Sequence, residues 1–261
     1  MLVAADVGGR ERIALDMAGH DDQNPPGVQR VTAHNPSPLT LDGTNTYVLD
    51  GWAVDPGPAD EAHLEAVRTA AGAPLEGIAL THSHADHADG AARLADLAGG
   101  VPVLLGADGA RVGPFDVLAT PGHAPDHVCL LHGRICFTGD TVLGRGSVFI
   151  DPGEGSLIDY LASLRRLREL DLEVLCPGHG PYVWDPAGKL DEYTAHRAER
   201  ERALLDALEA GARSHDELLD AAWSDVPGAL RSAARLTLRA HLAKLAAEGR
   251  LPPDTRRTLV D

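Results

Sequence analysis

Basic residues are scarce in this chain of 261 residues: 23 Lys and Arg stand against 39 Asp and Glu, a formal net charge of −16. From Pro186 onward 12 basic residues face 13 acidic ones, whereas before it 11 face 26, so the first part carries nearly all the excess acid. Such a field repels long polyanions in a salt-dependent way, and binding to nucleic acid is not favoured by charge. Cysteine is scarce too. Cys129, Cys136 and Cys176 are odd in number and lie in or beside apolar strands with no paired spacing. They read as reduced core residues of a cytoplasmic protein, neither a disulfide framework nor zinc ligands. No apolar run approaches the roughly 20 residues that cross a bilayer. Residues 1–6 lack a charged n-region and a long apolar core, so no membrane partner and no secretion are expected. The length and the 44% hydrophobic content fit one large packed domain plus a small one.

What is abundant is histidine in one place. Thr81-His82-Ser83-His84-Ala85-Asp86-His87-Ala88-Asp89-Gly90 puts three imidazoles and a carboxylate directly behind the apolar run Ile78-Ala79-Leu80. Neutral imidazole and carboxylate are the ligands that borderline cations such as zinc accept. His82 and His84 alternate as strand-end neighbours do and can face one side, while Asp86 and His87 continue around the turn toward a second point. Two adjacent metals fit this better than one. Downstream, His123 follows Ala119-Thr120-Pro121-Gly122, Asp140 follows Phe137-Thr138-Gly139, and His179 follows Cys176-Pro177-Gly178. Each stands at the end of a short apolar run read as a strand, where loops carry chemistry on a rigid scaffold.

The pattern of His82, His84, Asp86, His87, His123, Asp140 and His179 resembles the metallo-β-lactamase fold superfamily over roughly residues 29–185. The resemblance implies an α/β fold, an αβ/βα sandwich with two sheets back to back, helices outside and metals at one sheet edge. It further implies that His82, His84 and His123 hold one metal, that Asp86, His87 and His179 hold the other, and that Asp140 bridges them. Asp55, in Ala53-Val54-Asp55-Pro56-Gly57, matches the superfamily's early aspartate and is expected to orient a ligand. Gly43-Thr44-Asn45-Thr46-Tyr47 is similar to the β-lactamase-like protein 2 family, a branch with a small C-terminal winged-helix domain, and Asn45 is expected near the metals.

In chain order, residues 1–27 read as a loose N-terminal extension, residues 28–186 as the catalytic domain and residues 187–261 as a winged-helix-like helical domain. Residues 59–71 and 157–170 have helical spacing, the first placing His63 at the surface. His127 follows His123 closely and is a weaker substrate-contact candidate. Residues 141–150, Gly-rich with Arg145 as their one basic side chain, read as a loop over the site mouth where Arg145 could meet an anionic substrate. After Pro186 the composition turns to Ala, Leu, Arg and Glu. Helices are expected over 190–210, from the capping form Ser214-His215-Asp216-Glu217, and over 228–248. Tyr193, His196 and Arg197 resemble the family's linker helix, which brings His196 toward the site rim. Arg231, Arg235 and Arg239 run beside the ridge Leu238, Leu242, Leu245, read as flanking a protein interface, with a homodimer among the options.

The expected chemistry is that of two zinc ions, with manganese or iron as alternatives, about 3.5–4 Å apart and activating a bridging hydroxide, with Asp86 orienting it or taking its proton. The bond cut is an ester, thioester or phosphodiester of a small-molecule or short-chain substrate. Two other readings stay open: cleavage of single-stranded RNA, as the β-lactamase-like protein 2 resemblance implies, and a metal-stabilised interaction module acting through its winged helix.

Overall fold

The computed structural model describes residues 23–252 and Leu259. Most of the expected extension, residues 1–22, lies outside the described residues. Its last part is not loose: Pro25 is buried and accepts from Val28 N at 3.0 Å, and the Tyr182 hydroxyl donates to Asn24 Oδ1 at 2.8 Å.

The apolar runs that end in turns form two five-stranded sheets. The first holds β1 (Gln29–Thr32), β2 (Asn45–Leu49), β3 (Trp52–Val54), β4 (Gly77–Leu80) and β5 (Val103–Leu105) in that order. Its hairpins are antiparallel, while β3–β4 and β4–β5 are parallel, which requires crossovers. The second holds β6 (Arg111–Val112), β7 (Phe115–Ala119), β8 (Val128–His132), β9 (Ile135–Gly139) and β10 (Val174–Pro177), with only β9–β10 parallel. The crossovers are helices: α1 (Glu61–Ala71) between β3 and β4, the short α2 (Ala85–Ala88) and α3 (Ala91–Leu97) between β4 and β5, and α4 (Leu157–Arg168) between β9 and β10.

The sheets meet through Tyr47, Val54 and Ala79 on one side and Phe115, Leu130, Phe137 and Val174 on the other. Leu64, Val67 and Leu94 of α1 and α3 cover the outer face of the first sheet, and Leu157, Leu164 and Leu167 of α4 cover that of the second. This is the αβ/βα sandwich. The strands that precede His82, His123, Asp140 and His179 all end at one edge of it, so the loops behind β4, β7, β9 and β10 converge.

α5 (Pro186–Glu209) starts at the composition change, with Asp185 as its cap and Pro186 in the first turn. It belongs to two cores at once: Leu190 and Tyr193 join the cluster around α4, while Leu204, Ala207 and Leu208 join the C-terminal cluster. α6 (His215–Ala222) opens with the Ser214/Glu217 capping box read from the sequence, and α7 (Arg231–Ala247) follows a single 3₁₀ turn. The ridge Leu238, Leu242, Leu245 is fully buried in this domain's own core against α5 and α6, so it is not a docking face. Arg231 and Arg235 pair with Asp220 and Asp216 of α6, so these two arginines are held within the domain. Among the described residues no helix is long and apolar enough to cross a membrane.

Candidate metal centre

Three buried atoms at the converging edge have no hydrogen-bond partner: His82 Nε2, His87 Nε2 and Asp140 Oδ1. Buried polar atoms are almost always satisfied, and orphans of this kind, all electron-pair donors, fit a cation between them. The ligand atoms of His82, His84 and His123 lie within 4.8 Å of one another, and so do those of Asp86, His87 and His179. Asp140 stands between the groups. Its Oδ1 is 3.4 Å from His87 Nε2 and 3.4 Å from His179 Nε2, while its Oδ2 is 3.6 Å from His123 Nε2. The ligand atoms of Asp55, His82 and His87 also lie within 4.8 Å of one another. Asp55 is committed elsewhere and is not a ligand of that set.

The ring orientations are fixed from behind. His87 Nδ1 donates to Asp55 Oδ2 at 2.9 Å, His179 Nδ1 donates to Gly43 O at 3.2 Å, and His123 Nδ1 donates to Phe149 O at 3.2 Å. Each leaves Nε2 facing the centre as an acceptor, the arrangement that metal-binding histidines require. Nε2 of His123 and Nδ1 of His84 converge to 3.0 Å. Asp55 also accepts from Thr81 N at 2.8 Å and Thr81 Oγ1 at 2.6 Å, and sits in the left-handed backbone region with φ 50°. Asp tolerates that region better than most residues, and three donors on one carboxylate hold it there.

Glycine is required where backbone runs against the centre. A Cβ on Gly178 would lie 2.5 Å from His87 Cε1 and 2.9 Å from Asp140 Oδ1. One on Gly139, whose φ is 45°, would lie 2.4 Å from Thr81 Oγ1. The glycines before Asp140 and His179 are thus close-approach residues, and Gly139 also takes a backbone conformation that favours glycine.

Electrostatics agree with the geometry. Burial alone would raise the Asp140 carboxyl, but His179, His87 and His123 hold it well below the usual range. Burial drives His82 and His127 well down, keeping both neutral. For His87 burial is overcome by Asp140 and Asp55, and for His179 by Asp140 and Asp86, so both are raised. Cations between them would supply the charge that these imidazoles otherwise take up as protons.

Asn45 lies beside the centre, its backbone N–H donating to Gly178 O at 2.7 Å, while His127 and His63 differ from the sequence expectation. Asn45 is buried and does not face the centre: its Nδ2 donates to Pro177 O at 3.0 Å and Gly180 O at 2.8 Å, strapping the loop that carries His179. His127 is buried behind the centre, where its Nε2 accepts from Asp140 N at 3.1 Å, so it contacts the ligand loop and not a substrate. His63 is a buried residue, not a surface one; its Nε2 donates at 2.9 Å to Thr46 Oγ1, which itself donates to Asp55 O at 2.7 Å. Arg145 and His196 do line the cavity that opens onto the centre, Arg145 paired with Asp42.

That cavity has a volume of about 810 Å³ and is bounded by His84, Asp86, His123, Asp140 and His179 at one end. Its walls come from Leu39 and Leu41, from Leu143, Val148 and Phe149, and from α5, Trp223 and α7 of the C-terminal domain. Sequence reading missed Leu39, Leu41, Phe149 and Trp223 as cavity residues. The turn-rich setting of residues 35–47 and 141–150 pointed toward the first three, and no sequence signal toward Trp223.

A sandwich of two mixed sheets with two His/Asp groups at one edge defines a metal-binding class, generally of hydrolases. The family model of the metallo-beta-lactamase superfamily matches residues 99–179, and that of the beta-lactamase associated winged helix domain matches residues 214–253. The chain belongs to the metallo-β-lactamase superfamily. Within it, the chain is similar to a "Beta-lactamase-like protein 2 homolog" of Caenorhabditis elegans, 31% identical over 85% of each chain. It is also similar to an "Atrochrysone carboxyl ACP thioesterase" of Aspergillus fumigatus, 30% identical over 77% of this chain and 75% of the other. A solved metallo-beta-lactamase family protein from Thermus thermophilus is 25% identical, with a TM-score of 0.69 over 86% of this chain and 95% of that one. A second solved structure, of a di-iron-bound form, is 28% identical with a TM-score of 0.52 over 63% of this chain and 98% of that one.

Proposed function

We propose that the protein is a two-metal hydrolase of acyl thioesters. In this reading His82, His84 and His123 hold one metal, Asp86, His87 and His179 the other, and Asp140 lies between them. Zinc suits this mixed imidazole and carboxylate set, and iron or manganese suits it as well, as the di-iron-bound relative illustrates. When bound, such a pair supplies Lewis acidity and an activated water at neutral pH.

The chain's own residues do the rest. Asp55, Gly43 O and Phe149 O hold His87, His179 and His123 with Nε2 toward the centre. His127 accepts the Asp140 backbone N–H and fixes that carboxylate's approach. Asp86, whose side chain is 34% exposed on the cavity floor, is placed to orient the attacking water and to accept its proton at a carboxylate oxygen. The apolar walls exclude bulk water and cradle an acyl chain.

The observation that carries the thioester reading is the apolar lining of the cavity. Leu39, Leu41, Leu143, Val148, Phe149 and Trp223 suit an acyl group, whereas a ribonucleotide strand needs free cations along its path. Arg145 and Arg200, the arginines on the open part of the cavity, are both paired, with Asp42 and with Asp225. The thioesterase among the relatives supports the same choice. The test is a substrate panel on metal-loaded protein: acyl thioesters, single-stranded RNA, a phosphodiester reporter and a β-lactam. Thioester turnover well above the other three is expected, and RNA cleavage without thioester turnover overturns the proposal.

A further inference from the structure

A cavity of about 810 Å³ is large for a short acyl group, since volumes of about 300–1,000 Å³ enclose ligands of drug size. Beyond the His/Asp groups its walls are α5, α7 and the segment that follows α6. Both helices lead from the loop over the centre to that segment. On α5 the Tyr193 hydroxyl accepts from Leu143 N at 3.0 Å, Arg197 Nη2 donates to Val148 O, and Arg200, further along, donates to Ala222 O at 2.6 Å. On α7 Thr237 Oγ1 accepts from Ile150 N at 3.1 Å, next to the Phe149 carbonyl that aims His123. Leu230, just before that helix, donates its N–H to Pro227 O at 2.9 Å. The cavity between the helices therefore has a direction, from residues 143–150 at the metal end to residues 222–227.

Leu230, Ala233, Ala234 and Thr237 line it. At about 100° per residue they fall within an arc of about 100°, one face of α7, while Leu238, Leu242 and Leu245 take the adjoining face into the domain's own core. From Thr237 to Leu230 the cavity face is about 10 Å long, at about 1.5 Å per residue. Arg200, the cation beside it, is held bidentately by Asp225 at 2.6 and 2.8 Å. Trp223, Val226 and Leu230 give the far end an apolar lining. Methyl and methylene groups of this kind favour a hydrocarbon and disfavour an unpaired anion, which loses its water there.

We infer that the groove between α5 and α7 measures the length of the acyl group, and that the substrate is the thioester of a long-chain aliphatic acid. The inference rests on the thioester reading above. The carbonyl lies at the metal end, the methylenes follow Thr237, Ala234 and Ala233, and the terminal methyl meets Leu230 and Val226. Ala233 keeps the groove open one helical turn beyond Thr237, and a larger side chain there shortens it.

The kinetic test measures kcat/KM of the metal-loaded full chain for N-acetylcysteamine thioesters from butanoyl to dodecanoyl. Each two added methylenes are expected to raise kcat/KM about ten-fold until the far end is reached. Ala233→Leu is expected to lower the ratio of decanoyl to butanoyl kcat/KM about ten-fold, and Leu230→Ala to move the optimum to a longer chain. Both positions are half-buried, and Leu230 lies outside the leucine core of the C-terminal domain, so Leu230→Ala carries the test if Ala233→Leu misfolds by circular dichroism. A flat length profile in the wild type, or one that neither folded variant moves, overturns the ruler. The binding test titrates the same proteins with butanamide, hexanamide and octanamide by calorimetry. Affinity is expected to rise about ten-fold from one amide to the next, and the rise to be lost in Ala233→Leu. Amide binding that follows this pattern in a protein that turns over no thioester sinks the thioester reading alone. Thioester turnover indifferent to chain length sinks the ruler alone.

Discussion

The wall of the cavity that carries the His/Asp groups is held by buried charge-bearing contacts, whereas the wall supplied by the C-terminal helices is held by leucine packing and exposed ion pairs. On the first wall the rings of His87, His179 and His123 are each aimed by one specific acceptor, Asp55, Gly43 O or Phe149 O, and glycines let backbone pass within van der Waals range. On the second, Leu218, Leu238 and Leu242 fill a small core, and Arg231 and Arg235 tie neighbouring helices at the surface. The difference follows from what each must do. Atoms that share a cation must be placed within tenths of an ångström, while a wall that lines a cavity, for an acyl chain in the proposed function, needs shape and tolerates exchange of side chains.

The sharpest way to break this contrast is Asp140→Ala. The packing of the sandwich lies elsewhere, so the variant is expected to keep its circular dichroism while turnover falls about a thousand-fold. Elemental analysis of the wild type is expected to give about two transition-metal ions per chain and of the variant fewer than one. Unchanged turnover removes Asp140 from the centre. Leu238→Ala attacks the other wall: a fully buried leucine in a small core is expected to cost about 2–5 kcal/mol, read as early unfolding of the C-terminal helices in a denaturant titration. Metal content should not change, and a parallel loss of metal would mean that the two walls are not separately held. Asp55→Asn probes the support of the first wall. It keeps the shape but weakens the bond to His87, so metal affinity or turnover should fall about 10- to 100-fold while the C-terminal transition stays in place. Smallest of all is Arg235→Ala, whose exposed pair with Asp216 is worth at most about 1 kcal/mol. A larger loss shows that the ion pairs, and not the leucines, hold that wall.

The first wall was legible in the sequence because its chemistry is dense and local. Three histidines and an aspartate sit within six positions, and each later polar residue follows a glycine at a strand end. What supports those residues was less legible. His63 lies on a helix among Asp60, Glu61 and Glu65, which argues for solvent, yet the turn at Gly57 brings the helix onto Thr46 and buries the ring. Asn45 was noticed for the wording around it, but its role as a strap for residues 177–180 depends on the pairing of distant loops that no local pattern encodes. The second wall was misread in one respect. A leucine ridge on α7 looks the same in sequence whether it meets another chain or its own domain, and only the placement of α5 and α6 decides that it is internal.

α5 is one unbroken helix of 24 residues that belongs to both cores, and this makes its length a gear between them. An α-helix advances about 1.5 Å and turns about 100° per residue. Deleting one residue between Arg197 and Leu204 therefore rotates the C-terminal bundle by about a quarter of a circle against the sandwich. Trp223 and Val226 leave the cavity wall, although every side chain of the His/Asp groups keeps its place. A change of substrate range can thus be reached by a change of phase along one helix, with no residue altered at either wall.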